Sequence, residues 1–213
     1  MKSIIFNEAM VNAWMAGKKT VTRRLMKPQP DMTWEDGRPW WNIGGLNGGK
    51  PPYLPGETVY IRETWRVASV NHSIPCARFF TVQFKDFHVL PHPQPDQSFF
   101  DKLIENDNLI LGQTDIAFGK WHPSIHMPEW AARSHALIVS VSPERVREIT
   151  EAEADREGFN GDLPSKSFPD TFMGDCGHLS IPECFGILWS EIYPGSWERN
   201  DWVWRIELQK VAK

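Results

Sequence analysis

From Trp202 to Leu208 the chain alternates Trp202, Trp204, Ile206 and Leu208 with Val203, Arg205 and Glu207, a period of two that belongs to a half-buried β-strand. Such a strand needs partners in a sheet, so the rest of the chain must supply them. Three other stretches have strand character. Ser3 to Phe6 is short and apolar, Ala136 to Val141 is rich in β-branched residues, and after Gly56 the residues Val59, Ile61, Glu63 and Trp65 share one face while Tyr60, Arg62 and Thr64 share the other.

The helices between them are short and sharply bounded. Asn7 is the N-cap of a helix from Glu8 to Ala16 with Met10, Ala13 and Trp14 on one face, and Gly17 ends it. Thr150 with Glu153 forms a capping box for a helix running to Glu157 and stopped by Gly158. Ser180 with Glu183 forms a second, leading into a helix with Phe185, Leu188, Trp189 and Ile192 on one face, closed by Pro194 and Gly195. Short mixed strands with short helices and no βαβ repetition predict an α+β fold of barrel type rather than a doubly wound sheet.

At 213 residues the chain suits one domain carrying insertions. Those insertions are expected at about 31–55, which is rich in Pro, Gly and Trp, and at about 68–119, where Pro75, Pro91, Pro93 and Pro95 break any long period. The second should hold a peripheral hairpin and a short helix near Phe99 to Asn106. Eleven tryptophans are a high number for this length, and their clustering predicts mainly packing roles.

The formal net charge is −4, which excludes a generally basic coat for nucleic acid and leaves only a local patch to contact phosphates. Lys18, Lys19, Arg23, Arg24 and Lys27 are that patch. Three cysteines without paired spacing, and an N-terminus without a charged region followed by an apolar one, predict a reduced cytoplasmic protein. No apolar run approaches the roughly 20 residues that span a bilayer, so a membrane role is not expected.

All of the patch but Lys27 lies in Gly17 to Arg24, GKKTVTRR, which follows the first helix and is expected to be a turn. Basic residues there also suit the negative end of a helix dipole, an alternative without function. A threonine hydroxyl becomes a nucleophile only when a base takes its proton, and a lysine is that base only when burial or nearby cations lower its pKa. Lys18, Arg23 and Arg24 are such cations around Lys19.

Five segments in order carry a family resemblance: Gly17 to Arg24, Gly56 to Trp65, Lys120 to Arg133, Ile149 to Phe159 and Leu188 to Leu208. Together they resemble the longer, phage- and prophage-type members of the ASCH domain family, whose fold is a PUA-like β-barrel. Small bacterial members are amidohydrolases that hydrolyse N4-acetylcytidine with a Lys, a Thr three residues later and a distant Glu. The resemblance therefore implies catalytic Lys19, Thr22 and Glu157. The first two match on Lys19, Thr20, Val21, Thr22, and Glu157 matches on the helix that starts Ile149, Thr150, Glu151.

The family is also associated with RNA, so the resemblance implies a hydrolase or a binding module for a modified nucleoside or RNA, with DNA or a ribonuclease role as alternatives. Lys18, Arg23, Arg24, Tyr60, Glu63 and Trp65 are the candidate binding residues, with Tyr60 and Trp65 as walls for an unstacked base. Glu63 is also a rival carboxylate, and its apolar strand face calls for a cation, Arg24 or Arg23. No cofactor or metal is expected, since Cys176, His178 and Cys184 match no standard zinc spacing even with His122 or His126 added.

Overall fold

A computed structural model describes residues 1–33, 39–40, 50–71, 78–85, 89–91, 110–111, 116–159 and 180–211. The chain divides into two compact units, residues 1–11 with 59–135, and residues 12–58 with 136–212. Both strands and helices are present, so the class is α+β. The described strands form open sheets, and no barrel closes among them.

In the first unit β1 (Lys2–Ile5) runs parallel to β5 (Thr58–Arg62), with Ile4 opposite Ile61. The apolar alternation read from the sequence is what this pairing buries: Ile4, Val59 and Ile61 are each at or below 1% exposure. The expected single strand to Trp65 is interrupted, because β5 ends at Arg62 and β6 (Trp65–Asn71) begins two residues after Glu63. A second sheet has the order β8-β7-β6-β10-β9, made of β7 (Arg78–Phe84), β8 (Val89–Pro91), β9 (Ile110–Leu111) and β10 (Ile116–Phe118). All its pairings are antiparallel, and β6 with β7 and β8 accounts for the expected hairpin. The helix expected near Phe99 to Asn106 lies outside the described residues. Tyr60, Trp65, Phe84, Met127, Ala131 and Ala132 form this unit's aromatic core.

In the second unit β12 (Trp202–Val211) lies between β11 (His135–Arg145) and β2 (Val21–Leu25). The β2–β12 pair is antiparallel, with Arg23 opposite Arg205 and Thr22 opposite Ile206. Two-residue strands β3 (Met32–Thr33) and β4 (Pro39–Trp40) pair within the first expected insertion. Helix α1 (Glu8–Met15) begins as expected, with Met10 N donating to Asn7 Oδ1 at 2.8 Å. Helix α2 (Glu151–Arg156) is capped by Thr150, and α3 (Ile181–Ile192) carries the Ser180–Glu183 box. Val146, Ile149, Ala154, Phe159, Phe185, Trp189 and Val203 make the core of this unit. Ile192, expected on the packed face of α3, is 47% exposed, and Tyr193 beside it packs against the core instead, its ring 4.6 Å from that of Trp189.

Candidate functional site

The positions of Lys19 and Glu157 follow from how two short helices end. Gly17 has φ +76, a conformation glycine adopts without strain, and lets the backbone turn so that Lys18 N and Lys19 N both donate to Ala13 O, at 2.9 and 3.1 Å. Thr20 N then donates to Arg156 O at 2.7 Å, tying the incoming chain to the end of α2. On α2 itself Gly158 has φ +81, and a Cβ there would stand 2.5 Å from Ala13 Cβ and 3.3 Å from Lys19 Cβ. The glycine that stops α2 is therefore also what lets Lys19 pack against it.

The expected turn after α1 is shorter than the motif. Val21 to Leu25 is strand β2, so Thr22, Arg23 and Arg24 lie on a sheet and not on a turn. The physical reason is the half-buried β12, whose register takes up Val21 to Leu25 as its partner.

Lys19 is buried at 1% exposure and Glu157 at 7%. Lys19 Nζ donates to Glu157 Oε2 at 2.7 Å, to Glu157 O at 2.8 Å and to Val21 O at 2.9 Å, three acceptors for the three hydrogens of an ammonium. Thr20 O accepts from Leu208 N, so by alternation the Val21 carbonyl points away from β12, and Lys19 satisfies it at the strand's edge. Burial lowers the pKa of Lys19; Glu157 opposes that shift, and the charges of Arg24 and Arg23 add to it.

Arg23 was expected to bind phosphate and does not stand free to do so. Its side chain is fully buried, and its guanidinium spans three carboxylates: Nε donates to Glu144 Oε1 at 2.5 Å, Nη1 to Glu157 Oε1 at 3.3 Å and Nη2 to Glu153 Oε2. Burial would lower its pKa, but the carboxylates, Glu157 foremost, together raise it. Arg205, opposite Arg23 on β12, donates from Nε to Glu153 Oε1 at 2.7 Å. Burial raises the pKa of Glu144, whereas for Glu153 the same effect is outweighed by Arg23 and Arg205, which lower it. In the sequence Glu153 stood out only as part of the Thr150 capping box, and Glu157 only through the family resemblance. Glu144 and Arg205 carried no signal for this network.

Thr22 is buried at 1% exposure. Strand alternation sets its side chain with Arg24, Trp204 and Ile206, on the face opposite Arg23 and Arg205. The structure therefore brings Lys19 and Glu157 together and leaves the Thr22 side chain on the other face of β2. Arg24 is half-buried, and Lys18 and Lys27 are exposed.

The remaining candidates belong to the first unit. Glu63 is buried, as its strand face implies, but its partner is Arg133 and not Arg24 or Arg23: Nε donates to Oε1 at 2.8 Å and Nη2 to Oε2 at 2.7 Å. The guanidinium also lies 4.2 Å from the Phe84 ring centroid. A planar two-pronged donor against an aromatic face suits this pair better than a strand-bound arginine elsewhere. Arg133 ends the segment Lys120 to Arg133, and that placement did not single it out. Tyr60 and Trp65, expected as pocket walls, are 4% and 3% exposed and pack in the core. Trp65 stacks on His122 with centroids 4.8 Å apart and meets Trp130 edge-on, which leaves no open ring face for a base.

None of Lys19, Thr22 or Glu157 lines the cavity of about 480 Å³ between α3 and Trp197. Among the described residues no group of three His, Cys, Asp or Glu is placed to hold a metal, and no helix is long and apolar enough to cross a membrane. Cys176 and His178 lie outside the described residues. Comparison of the chain with protein-family models, with curated proteins and with solved structures matches none of them.

Proposed function

We propose that this chain is a PUA-like ASCH protein that acts on a nucleoside or RNA, hydrolysing the amide of a modified base such as N4-acetylcytidine with Lys19, Thr22 and Glu157. The observation that carries this reading is the Lys19–Glu157 contact of 2.7 Å between two buried side chains. A lysine whose pKa burial lowers, in contact with a carboxylate that can take up its proton, is an arrangement that base catalysis requires.

In the proposed reaction the proton shared by the pair passes to Glu157, leaving Lys19 as a neutral amine with a lone pair. Lys19 takes the Thr22 hydroxyl proton while Thr22 Oγ1 bonds to the acetyl carbonyl carbon, whose C=O π electrons move to oxygen. Collapse of that intermediate breaks the C–N bond, and Lys19 returns the proton to the departing exocyclic amine of cytosine. In the second half Lys19 takes a proton from water as its oxygen bonds to the Thr22 ester carbon and returns it to Thr22 Oγ1 as the C–O bond breaks; acetic acid leaves and ionises in solvent, and the Glu157 proton passes back to Lys19. Thr22 lies on the face of β2 away from Arg23, so this reaction requires a backbone shift of β2 at Thr22 when substrate binds, not a rotation of the side chain alone.

A second reading, binding of the modified base without turnover, draws on a specific observation: all three acceptors of the Lys19 ammonium belong to Val21 and Glu157. In that reading the exposed Lys18 and Lys27 and the half-buried Arg24 contact phosphate. Incubation of the purified protein with N4-acetylcytidine, free and within an RNA oligonucleotide, separates the two. Release of cytidine or of deacetylated RNA supports the hydrolase, and saturable binding without release supports the module.

A further inference from the structure

The Lys19–Glu157 pair has a third member that the sequence did not mark as such. Glu157 Oε2 faces Lys19 at 2.7 Å while Oε1 takes the Arg23 Nη1 hydrogen bond at 3.3 Å. A carboxylate gripped at both oxygens has one orientation. The grip is itself fixed, because the other edges of the guanidinium are held by Glu144 and Glu153, and Arg205 holds Glu153 in turn. A guanidinium is planar with its donors in a rigid fork, so anchoring two edges sets where the third points. Lys19, Arg23 and Arg205 face Glu144, Glu153 and Glu157, three cations against three carboxylates, which is the balance that a buried cluster of this size requires.

We propose that Arg23 is a positioning residue, which holds the Glu157 carboxylate turned toward Lys19 through a guanidinium anchored on Glu144 and Glu153. This rests on the reading of Lys19 and Glu157 as the reacting pair. Arg23 acts through Glu157, to which its Nη1 donates at 3.3 Å. Its charge also works against protonation of Lys19, in the same direction as burial.

The test uses the full chain with isotope-labelled lysine. The Lys19 Nζ resonance, assigned by its loss in Lys19→Met, is titrated by NMR in the wild type, Arg23→Gln, Arg23→Lys and Glu153→Gln, and kcat and KM for N4-acetylcytidine are measured on the same proteins. Removing the cation should raise the Lys19 titration midpoint in Arg23→Gln. Loss of orientation should lower kcat by about tenfold or more with KM within about twofold. Arg23→Lys should bring the midpoint back toward the wild type and leave kcat low, since one ammonium restores charge and not the fork.

An unchanged midpoint with unchanged kcat in Arg23→Gln would overturn the proposal, as would full recovery of kcat in Arg23→Lys. Should Arg23→Gln not fold, Glu153→Gln decides alone: it loosens one anchor at a partly exposed position, and a kcat equal to that of the wild type would overturn the proposal. A wild type that releases no cytidine removes the hydrolase reading. Arg23 is then judged on the NMR midpoint alone, and an unmoved midpoint overturns it.

Discussion

Glu157 Oε2 accepts a 2.7 Å hydrogen bond from Lys19 Nζ although 138 residues separate the two in the chain. Neither side chain has water to fall back on, so removing one leaves the other charged and buried. Lys19→Met or Glu157→Leu alone should each cost roughly 3–5 kcal/mol, and the double substitution clearly less than the sum of the two. Denaturant unfolding of the three variants measures this, and additive losses would mean that the pair is solvated.

Glu63 and Arg133 make the matching case in the other unit, with side chains 6% and 3% exposed. Glu63→Gln should lower stability by several kcal/mol, within the roughly 3–5 expected for one partner of a buried pair. Arg24→Ala should leave the Glu63 contribution untouched. A thermal melt in which Glu63→Gln and Arg24→Ala are strongly coupled would contradict the assignment to Arg133.

Gly158 is the backbone counterpart of these pairs. With φ +81 and a Cβ that would stand 2.5 Å from Ala13 Cβ, Gly158→Ala combines a left-handed alanine with a steric conflict. The strain alone is on the order of 1–3 kcal/mol. The substitution should lower Tm and also cut any cytidine release, because the next atom in its way is Lys19 Cβ, at 3.3 Å. A Tm equal to that of the wild type would show that the α2 terminus can shift without cost.

Acid should act on the same network through Glu153. Burial raises its pKa, but Arg23 and Arg205 together bring the folded value below the usual 4.5. The folded state therefore binds this proton more weakly than the unfolded one. The stabilisation is full above about pH 4.5 and is lost as pH falls through the lowered value. Glu153→Gln should flatten the loss of stability in that acid window, as read from urea midpoints at successive pH. An unchanged pH slope would mean that Glu153 titrates alike in both states.

Local features of the chain were legible wherever a few neighbouring residues decide the outcome. Asn7, Thr150 and Ser180 cap their helices because side chain and recipient amide lie within three residues of each other. The alternation at Trp202 to Leu208 and the burial of Glu63 follow from period two. The pairing of Lys19 with Glu157 was reached through the family resemblance, not from spacing. What stayed illegible is long-range pairing. Thr22 to Arg24 look like a basic turn until β12 recruits them, and an arginine bound to three carboxylates looks the same in sequence as one free for phosphate. Arg133 shows the same limit, since 70 residues separate it from the carboxylate it meets.

The most direct measurement is the initial rate of cytidine release from N4-acetylcytidine by the wild type, Thr22→Ala, Thr22→Ser and Glu157→Gln, with mass spectrometry of protein quenched during turnover. The account predicts release by the wild type, loss of about a hundredfold or more in Thr22→Ala and Glu157→Gln, and partial retention in Thr22→Ser. It also predicts one acetyl group on the peptide that contains Thr22. Release at the wild-type rate by Thr22→Ala, or no release by the wild type at any pH at which it stays folded, would contradict it.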